Sequence, residues 1–267
     1  MDAITTRVFR RPSAQVHGTL FAPAGARPAA AVLVIGGSGG SEPSYVAEAL
    51  AREGMTAMSV AYFARPGLPR QLRGIRLEYF AVALEILRDA LPASPAPPAA
   101  VIGMSRGSEA AMLTAIRAPD AVQGVVATVP GNVIAGSHPP GGPAWLLGGC
   151  PLPYAGHQGP DCENPDALIP VERVCGPVLL IAAGADQVWP SADMARALSA
   201  RLRQHGDPHG HTLLDYPGAG HCLGYLIPQL PRQLLPPGLT DHPADQAARA
   251  DAWPKAIEFL RHLPPPR

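Results

Sequence analysis

A serine at the centre of a glycine-flanked turn is the residue most capable of chemistry in this sequence. Residues Gly103–Gly107 read Gly-Met-Ser-Arg-Gly, after the apolar run Pro98–Ile102 and before a helical stretch that begins at Ser108. A sharp strand-to-helix turn holds a hydroxyl clear of the sheet, and the flanking glycines let other backbone approach closely, so the spacing predicts Ser105 as a nucleophile. An ordinary loop could carry the same letters, because the chain contains 28 glycines.

Two later polar residues supply what a serine nucleophile needs. Asp186 and His221 each follow a β-type run, and the order along the chain is Ser, Asp, His. An imidazole can take the serine proton, and a carboxylate fixes the tautomer of that imidazole and stabilises its charged form. We therefore expect Ser105, Asp186 and His221 to act together. The alternatives are a helix cap for Asp186, where Ser191 is the better predicted cap, and a structural role for His221.

The glycine-rich loop Gly36–Gly40 also follows an apolar run. Its backbone N–H groups are unobstructed, so the loop predicts an oxyanion hole formed by N–H groups near Ser38 and of Arg106. Gly37 and Gly39 then become predicted substrate contacts. A phosphate cradle or a plain tight turn is the alternative, but neither a Gly-Lys-Ser/Thr sequence nor Gly-x-Gly-x-x-Gly spacing is present.

Other polar residues receive structural interpretations. The segment Gln204–His211 contains three histidines but no completing ligand at regular spacing, so it predicts a solvated loop and no metal site. Cys222 is expected to be structural, and the Arg106 side chain is expected to pack on the surface, with a substrate phosphate as its alternative partner. The four cysteines fit reduced thiols, with a Cys150–Cys162 bridge as the alternative.

The elements that must position these residues alternate between strands and helices. An apolar face at helical spacing predicts a helix over Arg73–Leu91, and Ala250, Trp253, Ile257 and Leu260 predict a C-terminal helix in which Pro254 marks a kink or a new start. Such alternation predicts the α/β class, with a mostly parallel sheet covered on both faces. The predicted strands are Val16–Phe21, Ala31–Ile35, Thr56–Tyr62, Ala99–Met104, Val122–Val129, Val178–Ala182 and Thr212–Tyr216.

Length and charge restrict the function. The 267 residues can form one globular domain, and 21 basic against 21 acidic residues give no field that favours nucleic acid. We find neither a signal-peptide core nor a stretch apolar enough to span a membrane, so we expect a cytoplasmic protein. The irregular segment 130–170 is long for a loop and predicts a lid, in which Trp145 and Leu146 would cover an apolar substrate group; a packed surface excursion is the alternative.

Taken together, the sequence resembles the α/β-hydrolase domain of the acyl-CoA thioesterase and bile acid-CoA:amino acid N-acyltransferase family. The resemblance runs collinearly from about Ala30 to Leu263. Beyond the serine turn and the glycine loop, it rests on Leu77–Phe80, Ile169–Glu172, Gly176–Ile181, Trp189–Ser191, Tyr216–His221 and Asp251–Trp253. It implies Ser105 as nucleophile, Asp186 as orienting acid and His221 as base, acting on an acyl thioester without a cofactor.

Three departures limit what the resemblance implies. Animal members carry a β-sandwich domain before the hydrolase domain, whereas about thirty residues precede the first central strand here. The acid loop commonly has two aspartates, but Ala185 precedes Asp186. Serine rather than cysteine at position 105 favours hydrolysis over transfer to an amine.

The expected substrate is therefore a small-molecule acyl thioester, of coenzyme A or of an acyl carrier protein. Transfer to an amine, hydrolysis of oxygen esters by a carboxylesterase or dienelactone-type enzyme, and a binding protein with an idle triad are the alternatives.

Overall fold

The computed structural model describes residues 3–10, 15–25, 27–91, 96–156, 164–236 and 238–266. The strands, in chain order, are β1 (Ile4–Phe9), β2 (His17–Pro23), β3 (Ala31–Ile35), β4 (Thr56–Ala61), β5 (Ile75–Arg76), β6 (Ala99–Met104), β7 (Gly124–Thr128), β8 (Trp145–Leu147), β9 (Cys150–Pro151), β10 (Val178–Ala183) and β11 (His211–Tyr216). The α-helices are α1 (Ser44–Arg52), α2 (Glu78–Asp89), α3 (Arg106–Arg117), α4 (Ser191–Gln204) and α5 (Pro243–Arg261).

Eight of these strands form the main sheet, in the order β1-β2-β4-β3-β6-β7-β10-β11. Strand β2 runs antiparallel to both of its neighbours, and the strands from β4 to β11 are parallel. Central strands that are buried on both faces read as continuous apolar runs, which is why β3 and β6 have the bounds that their sequences predict. The chain leaves β3 toward β4 on one side and later returns to β6 on the other. The loops after β3 and β6 therefore meet where ligands bind in open α/β sheets.

Helices cover both faces of this sheet. Buried residues of α2, α3 and α4 pack in one apolar cluster with side chains such as Leu33 and Val101. Residues of α1 and α5 pack in a second cluster with Val32 and Ile102, which point to the opposite face because strand side chains alternate. The predicted α/β architecture is confirmed.

Two helices differ in detail from their predictions. Helix α2 begins later than predicted, because Ile75 and Arg76 pair with β8 instead of joining the helix. It also ends at Asp89, two residues before the predicted end. Helix α5 is one continuous element with Pro254 inside it. Ala250 is exposed, and the buried position beside it belongs to Arg249, whose guanidinium pairs with Asp241.

The segment 130–170 contains a small sheet of its own. Strands β8 and β9 pair antiparallel, and β8 adds β5 as a parallel neighbour. Residues 157–163 lie outside the described residues, so the alternative bridge from Cys150 to Cys162 is not described. Among the residues that the structure describes, no helix has both the length and the apolar content needed to cross a membrane.

Candidate active site

Ser105 lies in the sharp turn between β6 and α3. Its backbone has φ 52° and ψ −123°, a conformation that residues other than glycine rarely adopt and that costs free energy. Both flanking glycines are sterically required. A Cβ on Gly103 would lie 2.2 Å from the carbonyl oxygen of Gly107, and a Cβ on Gly107 would lie 2.4 Å from that of Gly36. The sequence therefore uses glycine where the elbow crosses other backbone.

Asp186 and His221 lie together at the carboxyl ends of β10 and β11. The Oδ2 atom of Asp186 is 2.8 Å from Nδ1 of His221, and Oδ1 is 3.0 Å from the same nitrogen. The aspartate side chain is fully buried and that of the histidine is 6% exposed. An ion pair or hydrogen bond in such a buried position fixes the orientation of the imidazole ring. It engages Nδ1 and does not involve Nε2.

Ser191 contributes to this pair in a way that the sequence did not predict. Its hydroxyl, buried at the start of α4, donates to Oδ2 of Asp186 at 2.7 Å and is 3.2 Å from the carbonyl oxygen of Ala183. The N-cap position belongs to Pro190, so the predicted capping role of Ser191 is wrong. The backbone N–H of Val188 donates to Oδ1 of Asp186 as well.

These donors determine the charge of Asp186. Burial by itself raises the pKa of this carboxyl group. Hydrogen bonds from His221, Ser191 and the backbone N–H of Val188, together with the charge of His221, lower the pKa by more than burial raises it. The pKa of Asp186 is therefore lowered from its ordinary value. The carboxylate is ionised at neutral pH and can stabilise a protonated His221.

One pocket joins the serine, the histidine and the glycine loop. It has a volume of about 460 Å³ and is lined by both Ser105 and His221. The predicted contacts Gly37, Ser38 and Gly39 also line it. Further lining residues are Tyr45, Met104, Tyr225, Leu234, Leu235 and Leu239, together with His138 and Val188. The structure thus gathers residues from four separate loops around Ser105.

The glycine loop and the start of α3 both lie beside Ser105. A Cβ on Gly37 would lie 3.3 Å from the Cβ of Ser105, so the glycine loop is in direct contact with the elbow. Helix α3 begins at Arg106, and the first N–H groups of a helix have no acceptor within it. The positions of Ser38 and Arg106 are consistent with the predicted oxyanion hole, which stays a prediction.

The side chain of Arg106 is buried, and the expectation of surface packing is wrong. Its Nε atom lies 2.6 Å from Oε1 of Glu109, and Nη2 donates to the carbonyl oxygen of Ala135 at 2.8 Å. Burial raises the pKa of Glu109 although Arg106 opposes this effect. The guanidinium is therefore engaged inside the protein. No sequence signal distinguished it from a surface arginine.

Trp145 and Leu146 do not cover the serine pocket as predicted. Trp145 is fully buried among core aromatic side chains, and its Nε1 donates to Oε2 of Glu109 at 2.8 Å. A buried indole N–H needs a hydrogen-bond acceptor, and the Glu109 carboxylate provides one in the core. Neither residue is among the described residues that line the pocket. The segment 130–170 contributes His138 there instead.

A second Ser-His-Asp set lies away from this pocket. The hydroxyl of Ser199 is 2.7 Å from Nε2 of His211, whose Nδ1 contacts Asp207. His211 is largely buried at the start of β11, so the prediction of a solvated loop is wrong for this residue. Ser199 lies inside α4 and accepts a hydrogen bond from Arg203. The set ties α4 to β11 and lines none of the pockets that the structure describes around the sheet.

Cys222 has the structural role that the sequence predicts. Burial raises the pKa of its thiol to about 11, and Sγ donates to the carbonyl oxygen of Thr240. It lies near Asp241 and Asp245, the one grouping within the described residues that could hold a metal ion. Asp241 already pairs with Arg249, and Asp245 accepts from the backbone N–H groups of Gly220 and His242.

Comparison with known proteins shows which family the chain resembles. Residues 155–236 match the family model described as BAAT / acyl-CoA thioester hydrolase C terminal. Over 93% of its length the chain is 29% identical to peroxisomal succinyl-coenzyme A thioesterase of Mus musculus and 30% identical to acyl-coenzyme A amino acid N-acyltransferase 2 of Rattus norvegicus. The chain is similar to members of this family. It spans 64% of the length of each of these two relatives.

A shorter match is to another protein of this kind, and a solved structure shows the fold. The chain is 31% identical over 78% of its length to acyl-coenzyme A thioesterase 1 of Rattus norvegicus, of which it covers 52%. A dienelactone hydrolase-like promiscuous phosphotriesterase from metagenomic libraries superposes with a TM-score of 0.58 at 18% identity, covering 97% of this chain and 99% of that one. This structural similarity shows that the chain has the α/β-hydrolase fold.

Proposed function

We propose that this chain is a serine hydrolase of acyl thioesters. The observation that carries the proposal is the single pocket lined by Ser105, His221 and the glycine loop, with Asp186 hydrogen-bonded behind His221. Serine, imidazole and carboxylate in this arrangement perform acyl transfer without a metal or an organic cofactor. The family supplies the substrate class, because the relatives named above are thioesterases and acyltransferases of coenzyme A esters.

The reaction would take place in two halves. His221 accepts the Ser105 proton while Oγ attacks the thioester carbonyl carbon, and N–H groups of Ser38 and Arg106 hold the oxyanion. The C–S bond then breaks, and the sulfur leaves as a thiol with the proton from His221. Water next gives a proton to His221 and attacks the acyl-enzyme, so the acid is released and Ser105 recovers its proton.

The pocket walls fit the two parts of such a substrate. Leu234, Leu235 and Leu239 provide an apolar wall for an acyl chain. A neighbouring pocket of about 680 Å³ shares His138 and Val188 with the first and is lined by Ser137 and several loop glycines. Its more polar lining suits the thiol-bearing arm, which coenzyme A and an acyl carrier protein have in common.

Transfer to an amine is the second candidate function, because one relative is named an amino acid N-acyltransferase. Serine at position 105 favours hydrolysis over this alternative, since amines attack an acyl thioester more readily than an oxygen ester.

The test compares two serines of the same chain. Ser105→Ala should lower thiol release from a panel of acyl-CoAs by roughly four to six orders of magnitude. Ser199→Ala removes a serine hydroxyl that lies 2.7 Å from Nε2 of His211, and it should leave kcat within about twofold. Both variants are assayed for free thiol with and without glycine or taurine as acceptor.

Each outcome of this comparison assigns a function. Thiol release that requires an amine would replace hydrolysis with transfer. Cleavage of nitrophenyl esters alone would indicate an oxygen-ester hydrolase. Retained activity in Ser105→Ala would exclude Ser105 as the nucleophile. If a fluorophosphonate fails to label Ser105 in the wild type, the chain is a binding protein with an idle site.

A further inference from the structure

The buried hydroxyl of Tyr62 contacts the glycine loop from the side opposite the pocket. Tyr62 follows β4 and is 2% exposed. Its hydroxyl oxygen is 2.9 Å from the carbonyl oxygen of Gly36 and 3.2 Å from that of Gly37. The loop lines the serine pocket whereas Tyr62 is not among the described residues that do so. The loop therefore lies between the tyrosine and the pocket.

Holding these carbonyl groups determines where the loop's donors point. In a trans peptide the C=O and the following N–H point in opposite directions. A carbonyl of Gly37 directed at Tyr62 turns the N–H of Ser38 away from it, toward the pocket that Ser38 lines. The carbonyl oxygen of Gly36, which also contacts Tyr62, lies against Gly107 of the elbow and holds the loop beside Ser105.

We propose that Tyr62 is a positioning residue that aligns the N–H group of Ser38 as one half of the oxyanion hole. The inference rests on the proposed function, because it assigns this N–H group to the oxyanion of the acyl-transfer reaction. Tyr62 itself touches neither substrate nor nucleophile. It acts through the loop that does.

The tyrosine ring is fixed by the same buried network that holds the other half. The ring centroid of Tyr62 lies 5.7 Å from that of Trp145 and 5.4 Å from that of Phe80. Trp145 donates to Glu109, and Glu109 pairs with Arg106, the residue that follows the nucleophile. Burial raises the pKa of the Tyr62 hydroxyl, so it remains a protonated donor throughout the pH range of an assay.

The experiment compares two tyrosine-to-phenylalanine variants. Tyr62→Phe retains the ring and should lower kcat by about 10- to 100-fold with KM within about twofold, since misaligned donors weaken binding of the transition state and not of the substrate. Affinity for an acyl trifluoromethyl ketone, which forms an oxyanion on Ser105, should fall by a similar factor. Tyr79→Phe also removes a hydroxyl that contacts backbone carbonyl groups, but away from the pocket, and should change kcat less than about twofold.

The possible results separate this inference from the proposed function. Thermal unfolding of each variant provides the folded fraction to which kcat is normalised. If Tyr62→Phe retains wild-type kcat and ketone affinity per folded molecule, the positioning role is excluded although the wild type still hydrolyses thioesters. A wild type that cleaves nitrophenyl esters but no thioester contradicts the proposed substrate, and the same two variants then test Tyr62 on the ester. A wild type that cleaves neither contradicts both.

Discussion

At the scale of single residues, this chain shows that three side chains in hydrogen-bonding order do not make a catalytic site. Ser199, His211 and Asp207 contact one another as closely as a catalytic set would. However, Ser199 lies within a helix, 1% exposed, and its oxygen accepts from Arg203. Ser105 instead occupies a strained elbow and lines a pocket together with the glycine loop. Backbone geometry and access therefore distinguish Ser105, the proposed nucleophile, from Ser199.

Replacing Asp186 by asparagine tests the pair behind His221. Asp186→Asn retains the shape but favours the wrong imidazole tautomer, so kcat for thiol release should fall by roughly three to four orders of magnitude. The ionised carboxylate also stabilises the fold. Because its pKa is lowered, this stabilisation is full above the unfolded pKa of about 3.9 and is lost as the pH falls through the folded value. Urea unfolding of both proteins between pH 3 and 7 measures the effect.

The matched control is Asp207→Asn, which alters another aspartate whose carboxylate contacts a histidine ring. It should leave kcat within about twofold. A stability gap between wild type and Asp186→Asn that widens on acidification would contradict the pKa direction. Full activity of Asp186→Asn would remove Asp186 from the mechanism.

At the scale of elements, one buried ion pair connects α3, the helix that follows Ser105, to the segment 130–170. Glu109 of α3 pairs with Arg106 and accepts hydrogen bonds from the backbone N–H of Ala135 and from Trp145 of β8. Glu109→Gln leaves the Arg106 guanidinium buried without a counter-charge. We expect a loss of about 3 kcal/mol in the free energy of unfolding, measured by urea denaturation.

An exposed ion pair provides the control for this prediction. Glu48 and Arg52 form an i,i+4 pair on α1 with both side chains about half exposed. Glu48→Gln should change the free energy of unfolding by less than about 1 kcal/mol, since water solvates the remaining arginine. Equal changes in the free energy of unfolding for the two substitutions would contradict the expectation that burial makes the loss of the Arg106 partner more costly.

Elements of the main sheet could be predicted from sequence, but the contacts around Trp145 could not. Strands β3 and β6 have their predicted bounds because continuous apolar runs end at glycine-rich turns. The sequence predicts a helix over the residues of β5, because their strand partners Trp145 and Leu146 lie some seventy positions away. Likewise nothing local distinguishes an indole that covers a pocket from one that donates to a buried carboxylate. In both cases the structure depends on a contact with a residue that is distant in sequence.

At the scale of the whole molecule, charge balance predicts how the protein meets an anionic substrate. The chain has 21 basic and 21 acidic residues, so its net field is close to zero. Several cationic side chains near the surface are engaged in ion pairs, among them Arg52, Arg196 and Arg261. Without a net field, encounter with a polyanionic thioester is not accelerated by long-range attraction, and salt has little attraction to screen.

We therefore expect kcat/KM for an acyl-CoA to change less than about threefold between roughly 20 and 300 mM NaCl. The uncharged acyl-N-acetylcysteamine with the same acyl group serves as the control, because its encounter does not depend on charge. A fall of about tenfold or more that is confined to the acyl-CoA would contradict the prediction. It would show that a local basic surface outweighs the overall neutrality, and charge-reversal variants along the rim shared by His138 and Val188 would then locate it.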